Sequence, residues 1–178
     1  MKRTLLLSTA LTLLTSACAV TSGSGTSPPA LTGGPWLNTA AQNIGPSLAD
    51  LRGKVVIVNF WVYSCINCHN SLPTLKGWYS KYKDQGLEII GIHTPEFESD
   101  KPTENVIASL KEDGVTWPIL QDNASANWRA WQNRAWPTFY LIDRAGKVRS
   151  VHQGEISSRF PQAIPGLEAN LKSLLAEK

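Results

Sequence analysis

Beyond Met1 the 178-residue chain contains no methionine, and it holds only three cysteines and three histidines. Three cysteines are too few to staple a small scaffold with disulfides. An excess of one charge is missing as well: 17 Lys and Arg stand against 14 Asp and Glu, and two of the 17, Lys2 and Arg3, lie at the extreme N-terminus. Removing those two leaves 15 against 14, too even a balance for a basic face that would hold a nucleic-acid backbone. Long apolar runs are lacking too. The stretch Leu5–Leu14 is about ten residues, or about 15 Å as a helix, half of what a bilayer core requires. What is present is 42% apolar and 17% charged residues, a balance that permits one packed domain and excludes a disordered or collagen-like chain.

Charge is absent from Thr4 to Ala49 and ordinary from Asp50 onward, so the chain divides into regimes. Residues 1–17, a short basic start and a short apolar run, read as an export signal. Leu14-Thr-Ser-Ala-Cys18 resembles a bacterial lipobox, which makes Cys18 the candidate lipidation site, with a bacterial membrane facing the periplasm or cell envelope as the destination. Ala17-Cys18-Ala19 also suits ordinary signal peptidase, with a cut after Ala19. Residues 18–35 are nearly all Ser, Gly, Thr, Pro and Ala, a composition that cannot bury a core and is expected to form a flexible tether. The globular domain is therefore expected over 36–178.

Lys54–Trp61 is a continuous β-branched and aromatic run, the mark of a strand buried on both faces. From Cys65 to about Asp84, Leu72, Leu75, Tyr79 and Tyr82 fall on one helical stripe, with Pro73 expected to kink it. Leu87–His93 reads as a second buried strand, and Val106, Ile107 and Leu110 as a helix ended by Gly114. Trp117–Leu120 reads as a short strand, and Asn123 as the cap of a helix carrying Trp128 and Trp131. Thr138–Ile142 and Lys147–His152 flank a hairpin turn at Asp143–Gly146. Leu167, Leu171, Leu174 and Leu175 mark a closing amphipathic helix. Together these elements give an α/β layered sheet.

Within that frame Cys65-Ile-Asn-Cys68 follows a buried strand and opens a helix. A helix N-terminus offers unpaired amides and a positive dipole end, both of which favour an anion. A thiolate there has its pKa depressed. Cys65 is placed to act as nucleophile, and Cys68, one turn deeper, to resolve a mixed disulfide. The carboxyl ends of strands are where open α/β sheets place such chemistry.

Asn59-Phe-Trp61, Tyr63-Ser-Cys-Ile-Asn-Cys68, Pro73, Gly91-Ile-His-Thr-Pro-Glu-Phe97 and Asn133-Arg-Ala-Trp-Pro-Thr-Phe-Tyr-Leu-Ile-Asp143 together resemble the thioredoxin superfamily. Within it they fall in the exported TlpA/ResA-like branch, and look closest to the thioredoxin-like domain of DipZ-type proteins. Trp36-Leu-Asn38 and Leu48-Ala-Asp-Leu-Arg-Gly53 extend the likeness upstream. The resemblance implies a thioredoxin fold, a central mixed sheet flanked by helices with a short N-terminal extension, and thiol–disulfide oxidoreductase activity without a metal or organic cofactor. It implies that Pro137 is a cis-proline facing the disulfide and that the Trp136 backbone pairs with substrate. Ile66 and Asn67 would tune the redox couple. The partners implied are disulfides of exported proteins and a membrane electron donor of the CcdA/DsbD kind, acting on a monomer. Two departures stand out. Asn59 replaces the buried Asp of cytosolic thioredoxins, leaving Glu96 or Glu98 as substitute acid unless both are merely solvated loop residues. Ser64 replaces the Trp before the first cysteine.

Other chemistries fit the same residues less well. Cys65-Ile-Asn-Cys68-His69 is also a c-type haem attachment pattern, but a second axial ligand would have to come from His93 or His152. Zinc could use Cys65, Cys68 and two histidines, yet no second pair has ligand spacing. A thiol peroxidase is the alternative enzyme, although Val62 stands where such enzymes carry Thr or Ser. A binding module with a structural disulfide is a further reading. His93 is expected to be a core histidine and His69 an exposed first-turn residue near the thiolate. Trp78, Trp128 and Trp131 read as core, and Trp61, Tyr63 and Trp136 as an aromatic rim for partner proteins.

Overall fold

The computed structural model describes residues 25–41 and 43–177. The leader and Cys18 lie outside the described residues. Val55–Trp61 (β2) and Leu87–His93 (β3) pair in parallel along their full length, Val55 opposite Leu87 and Trp61 opposite His93. Ile119–Gln121 (β4) continues the parallel side. Thr138–Ile142 (β5) lies antiparallel to β2 on the other side, and Val148–Gln153 (β6) turns back on β5. A two-residue strand, Trp36–Leu37 (β1), pairs antiparallel with β4 and completes the order β1-β4-β3-β2-β5-β6. This mixed sheet, with helices against it, is the architecture the thioredoxin resemblance implies.

Parallel strands need crossover connections, and Ile66–Tyr82 (α1) and Thr103–Glu112 (α2) supply them. Side chains alternate across a strand, so β2 sends Val55, Ile57 and Trp61 to one face and Val56, Val58 and Phe60 to the other. The first face packs Leu72, Leu75, Trp78 and Tyr82 of α1, Val106 and Leu110 of α2, and Leu167, Leu171 and Leu174 of the closing helix Ala163–Ala176. That helix is α4. Helix α1 runs on through Pro73 without a break.

Among the described residues the second face has one short helix, Ala126–Ala130 (α3), and the segment from residue 25 onward covers much of the rest. Leu31, Trp36, Leu48 and Leu51 pack there beside Trp128 and Trp131. Residues 25–35 therefore pack as part of the domain, against the expectation of a flexible tether over that stretch and of a domain beginning at 36. Thr26 bridges Val148, and the Thr32 backbone donates to Asn127 Oδ1 at 3.0 Å while accepting from Asn127 Nδ2 at 2.7 Å. Composition hid this because the segment contributes one apolar anchor, Leu31, and otherwise chiefly backbone, with the Ser27 hydroxyl accepting from Lys147 Nζ at 2.7 Å. The cap of α3 also differs. Asp122, not Asn123, accepts the free amides of Ala126, Asn127 and Trp128, since a carboxylate buried at the end of β4 is the stronger acceptor for three donors.

Candidate active site

Strand β2 delivers the chain to its carboxyl end at Trp61, and a turn closed by Cys65 N donating to Val62 O at 3.2 Å sets up the helix. Cys65 is the N-cap of α1. It has extended backbone angles, and its sulfur accepts from Cys68 N at 3.3 Å, the place a Ser or Asp oxygen usually takes. No acidic residue occupies the first turn, so no carboxylate competes for the positive helix end. Cys65 is half-buried and Cys68 buried. Their sulfurs approach to 2.6 Å, with the Cys68 thiol donating to Cys65.

These contacts separate the two thiols. The hydrogen bond from Cys68, joined by the amides of Cys68 and Asn67, lowers the Cys65 pKa from 9.0 to about 7 against the opposing effect of burial. Burial above all, and then the bond given to Cys65, pushes the Cys68 thiol far up. One sulfur is a half-buried group that ionises near neutral pH and the other is a buried reserve proton, the division a nucleophile and a resolving thiol require.

Ile66 and Asn67, the expected tuning residues, are both exposed between the cysteines, and only the Asn67 amide touches the couple. The Trp136–Pro137 peptide is cis. Trp136, Tyr63 and Cys65 each pack against the extensive core cluster that contains Cys68. Among the described residues no backbone partner is found for Trp136, which leaves its amide and carbonyl open to an incoming strand. Of the expected aromatic rim, Tyr63 and Trp136 remain half-exposed, while Trp61 is only 4% exposed and faces the His93 ring edge-on. Apolar exposure comes instead from Ile66, Phe97 and Phe160.

Asn59 is buried and donates to the carbonyls of Phe60 and Thr138, holding β2 against β5. Of the two substitute acids, Glu98 binds Lys101 at 2.5 Å, whereas the charge of exposed Glu96 reaches both thiols and raises them. Asp100, which sequence reasoning passed over, fixes that loop. It is 1% exposed and accepts from the amides of Glu96 and Phe97. An Asp closing a turn of exposed residues was the available signal. Tyr63 ties the same loop to the cysteines by donating to Ser99 O at 2.6 Å.

His69 does not face the thiolate as expected. Its ring sits between Asp113 and the Tyr63 carbonyl, at 3.2 and 2.5 Å, because the first turn of α1 packs beside the end of α2. With both nitrogens engaged and Cys68 buried, the haem pattern lacks a free ligand and a second accessible sulfur. His93 is fully buried, as expected of a core histidine, and burial lowers its pKa to about 4. Among the described residues no cluster of three or more metal-ligating side chains occurs.

The AhpC/TSA family model matches residues 37–151. Protein DipZ of Mycobacterium bovis is 48% identical over 120 residues, 67% of this chain but 17% of DipZ; the chain thus spans about a sixth of that relative. Thiol-disulfide oxidoreductase YkuV of Bacillus subtilis is 30% identical over 145 residues, covering 80% of this chain and 88% of YkuV. A thioredoxin-like protein whose solution structure was solved in the oxidized form superposes with a TM-score of 0.72 at 28% identity, covering 86% of this chain and 97% of that one.

Proposed function

The chain belongs to the AhpC/TSA family, and we propose that within it this domain is a thiol–disulfide oxidoreductase that reduces disulfides of exported proteins. The observation that carries this is the Cys65 sulfur capping α1 with its pKa lowered to about 7, beside a buried Cys68 thiol. In the reaction the Cys65 thiolate attacks one sulfur of a client disulfide, forming a mixed disulfide and releasing one client thiolate. Cys68 gives up its proton, attacks Cys65 Sγ and expels the second client sulfur. Two electrons pass from the dithiol to the client. The Cys68 proton ends on a client sulfur, leaving one client thiol, one client thiolate and a Cys65–Cys68 disulfide. We propose exposed Glu96, whose charge raises both thiols, as the acid that relays that proton. Trp136 offers its unpaired backbone to the client strand. Relatives named as oxidoreductases support this reading.

A peroxidase is disfavoured by Val62, which is 0% exposed and presents no hydroxyl beside Cys65. The finer reading is a monomeric lipoprotein, anchored through Cys18 to a bacterial membrane on its periplasmic or envelope side, and recharged by a donor of the CcdA/DsbD kind. The basic leader, the short apolar run and the Cys18 context support it, and no helix among the described residues is long and apolar enough to cross a membrane. Gly25 lies beside Val148, at the end of β6 that pairs with Ile142, the sheet end away from the cysteines.

The deciding experiment equilibrates the full chain with glutathione buffers. A Cys65–Cys68 potential near about −270 mV is expected for a reductase, and one near about −120 mV would make the protein a disulfide-forming oxidant and overturn the proposed direction. Substitution Cys18→Ala should release the protein from membranes. Continued membrane association would refute the anchor.

A further inference from the structure

Beside the cysteines a cleft of about 350 Å³ opens between α1 and the loop joining β6 to α4, lined by Asn67, His152, Gly154, Glu155 and Phe160. We infer that this cleft is a specificity site for a basic side chain, arginine above all, lying within about three residues of the client's reactive cysteine. The inference rests on the disulfide-exchange reading and deepens it by naming the client's chemistry.

The first support is position. Asn67 separates the two cysteines and lines the cleft. Gly154 donates its amide to the Pro137 carbonyl at 2.8 Å, so the same loop that walls the cleft is fastened to the cis-proline. A client strand pairing beside Trp136 therefore passes the cleft mouth, and an extended chain advances only about 3.3 Å per residue.

The second support is a buried carboxyl group without a cationic partner. Glu155 is 6% exposed, and a buried carboxylate is ordinarily paired with a cation. Here its oxygens receive only neutral donors, Asn70 Nδ2 at 3.2 Å and the Ser157 hydroxyl. None of the ion pairs among the described residues involves it. His152, on the same wall, has a buried Nε2 without a hydrogen-bond partner. A guanidinium supplies what both groups lack, N–H donors arranged in a planar fork with a positive charge. Phe160, 43% exposed at the rim, offers a ring face over which a guanidinium can stack.

The test uses the full chain, reduced beforehand with dithiothreitol and desalted, in single turnovers against three peptide disulfides. The peptides differ only in the residue two positions from the reactive cysteine: Arg, norleucine or Glu. The expected result is a rate constant at least tenfold higher for the Arg peptide than for the norleucine peptide, lowest for the Glu peptide, with the spread narrowing in 0.5 M salt. In Glu155→Gln the Arg-to-norleucine ratio should fall to near one, while the pH midpoint of Cys65 alkylation stays in place. Equal rates for the three peptides in the wild-type protein, or an unchanged ratio in Glu155→Gln, would overturn the inference. Should Glu155→Gln not fold, inhibition of wild-type turnover by an Arg peptide with Ser replacing its cysteine decides instead, and absence of inhibition relative to the norleucine version refutes the cleft. If no peptide is reduced at all, the disulfide-exchange reading itself has failed.

Discussion

Replacing Cys68 with Ala removes the largest influence that holds Cys65 near pKa 7. At pH 7 a thiol of pKa 7 is about half ionised and one of pKa 9 about 1% ionised, a gain of about 50-fold in thiolate. A less basic thiolate is also a weaker nucleophile. With a Brønsted slope of about 0.45, two pKa units cost about eightfold, leaving a net advantage of about sixfold at neutral pH. In Cys68→Ala the midpoint of Cys65 alkylation should therefore rise by at least one unit. The rate at pH 7 should fall about twofold for a one-unit rise and about sixfold for the full return to 9. Above about pH 8 the order should invert, because the variant's thiolate is the more basic and the faster once enough of it is ionised. Cys68→Ser, which keeps an O–H donor, should stay closer to wild type. The assay is iodoacetamide alkylation from pH 5 to 11, with Cys65 modification read by peptide mass spectrometry. A wild-type midpoint near 9, or identical midpoints in wild type and Cys68→Ala, would refute the claim that the neighbouring thiol tunes the nucleophile.

Glu96→Gln removes a charge that raises both thiols, so its Cys65 midpoint should lie below wild type in the same assay. Cys65→Ser should abolish disulfide reduction, and Cys68→Ser should accumulate a mixed disulfide with client that survives non-reducing electrophoresis. His93 is neutral in the fold with a pKa near 4, against 6.5 when free. Below pH 6.5 the unfolded chain takes up a proton the native state refuses, so stability is lost as pH falls from 6.5 to 4, by about 3 kcal/mol in all. Urea unfolding at pH 7 and 4.5 should show that loss in wild type and a smaller one in His93→Leu. A chain beginning at Trp36 should be less stable than one beginning at Gly25 by about 3 kcal/mol. It exposes the Leu31 site and strips two hydrogen bonds from fully buried Asn127. Equal denaturation midpoints would show that residues 25–35 contribute nothing.

The primary sequence was sufficient for the strand–helix alternation and for the placement of Cys65 and Cys68, because both are local properties. Runs such as Val55–Trp61 and Leu87–His93 are apolar on both faces, and only an interior strand accommodates that pattern. A Cys-x-x-Cys pair directly after such a strand sits at a helix start whatever surrounds it. Legibility ended where the deciding partner is distant in the chain. The expected tether over residues 18–35 looked featureless, yet residues 25–35 cover a sheet face that one five-residue helix leaves open, and nothing in their composition reports that vacancy. His69 looked available to the thiolate, but Asp113, 44 residues on, claims its ring. Trp61 looked like rim and became core because Gly91 on β3 leaves room for its indole, where a Cβ would come within 3.0 Å of its ring nitrogen. Asp100 carried only the faint signal of an Asp closing a turn, and Glu155 carried no local pattern at all. Their roles arise from burial, which converts an ordinary surface carboxylate into the organiser of the Glu96 loop in one case and a carboxyl group without a cationic partner beside the cysteines in the other. Periodicity fixes which residues face inward, but only the folded chain decides which charges are left without water and what must then neutralise them.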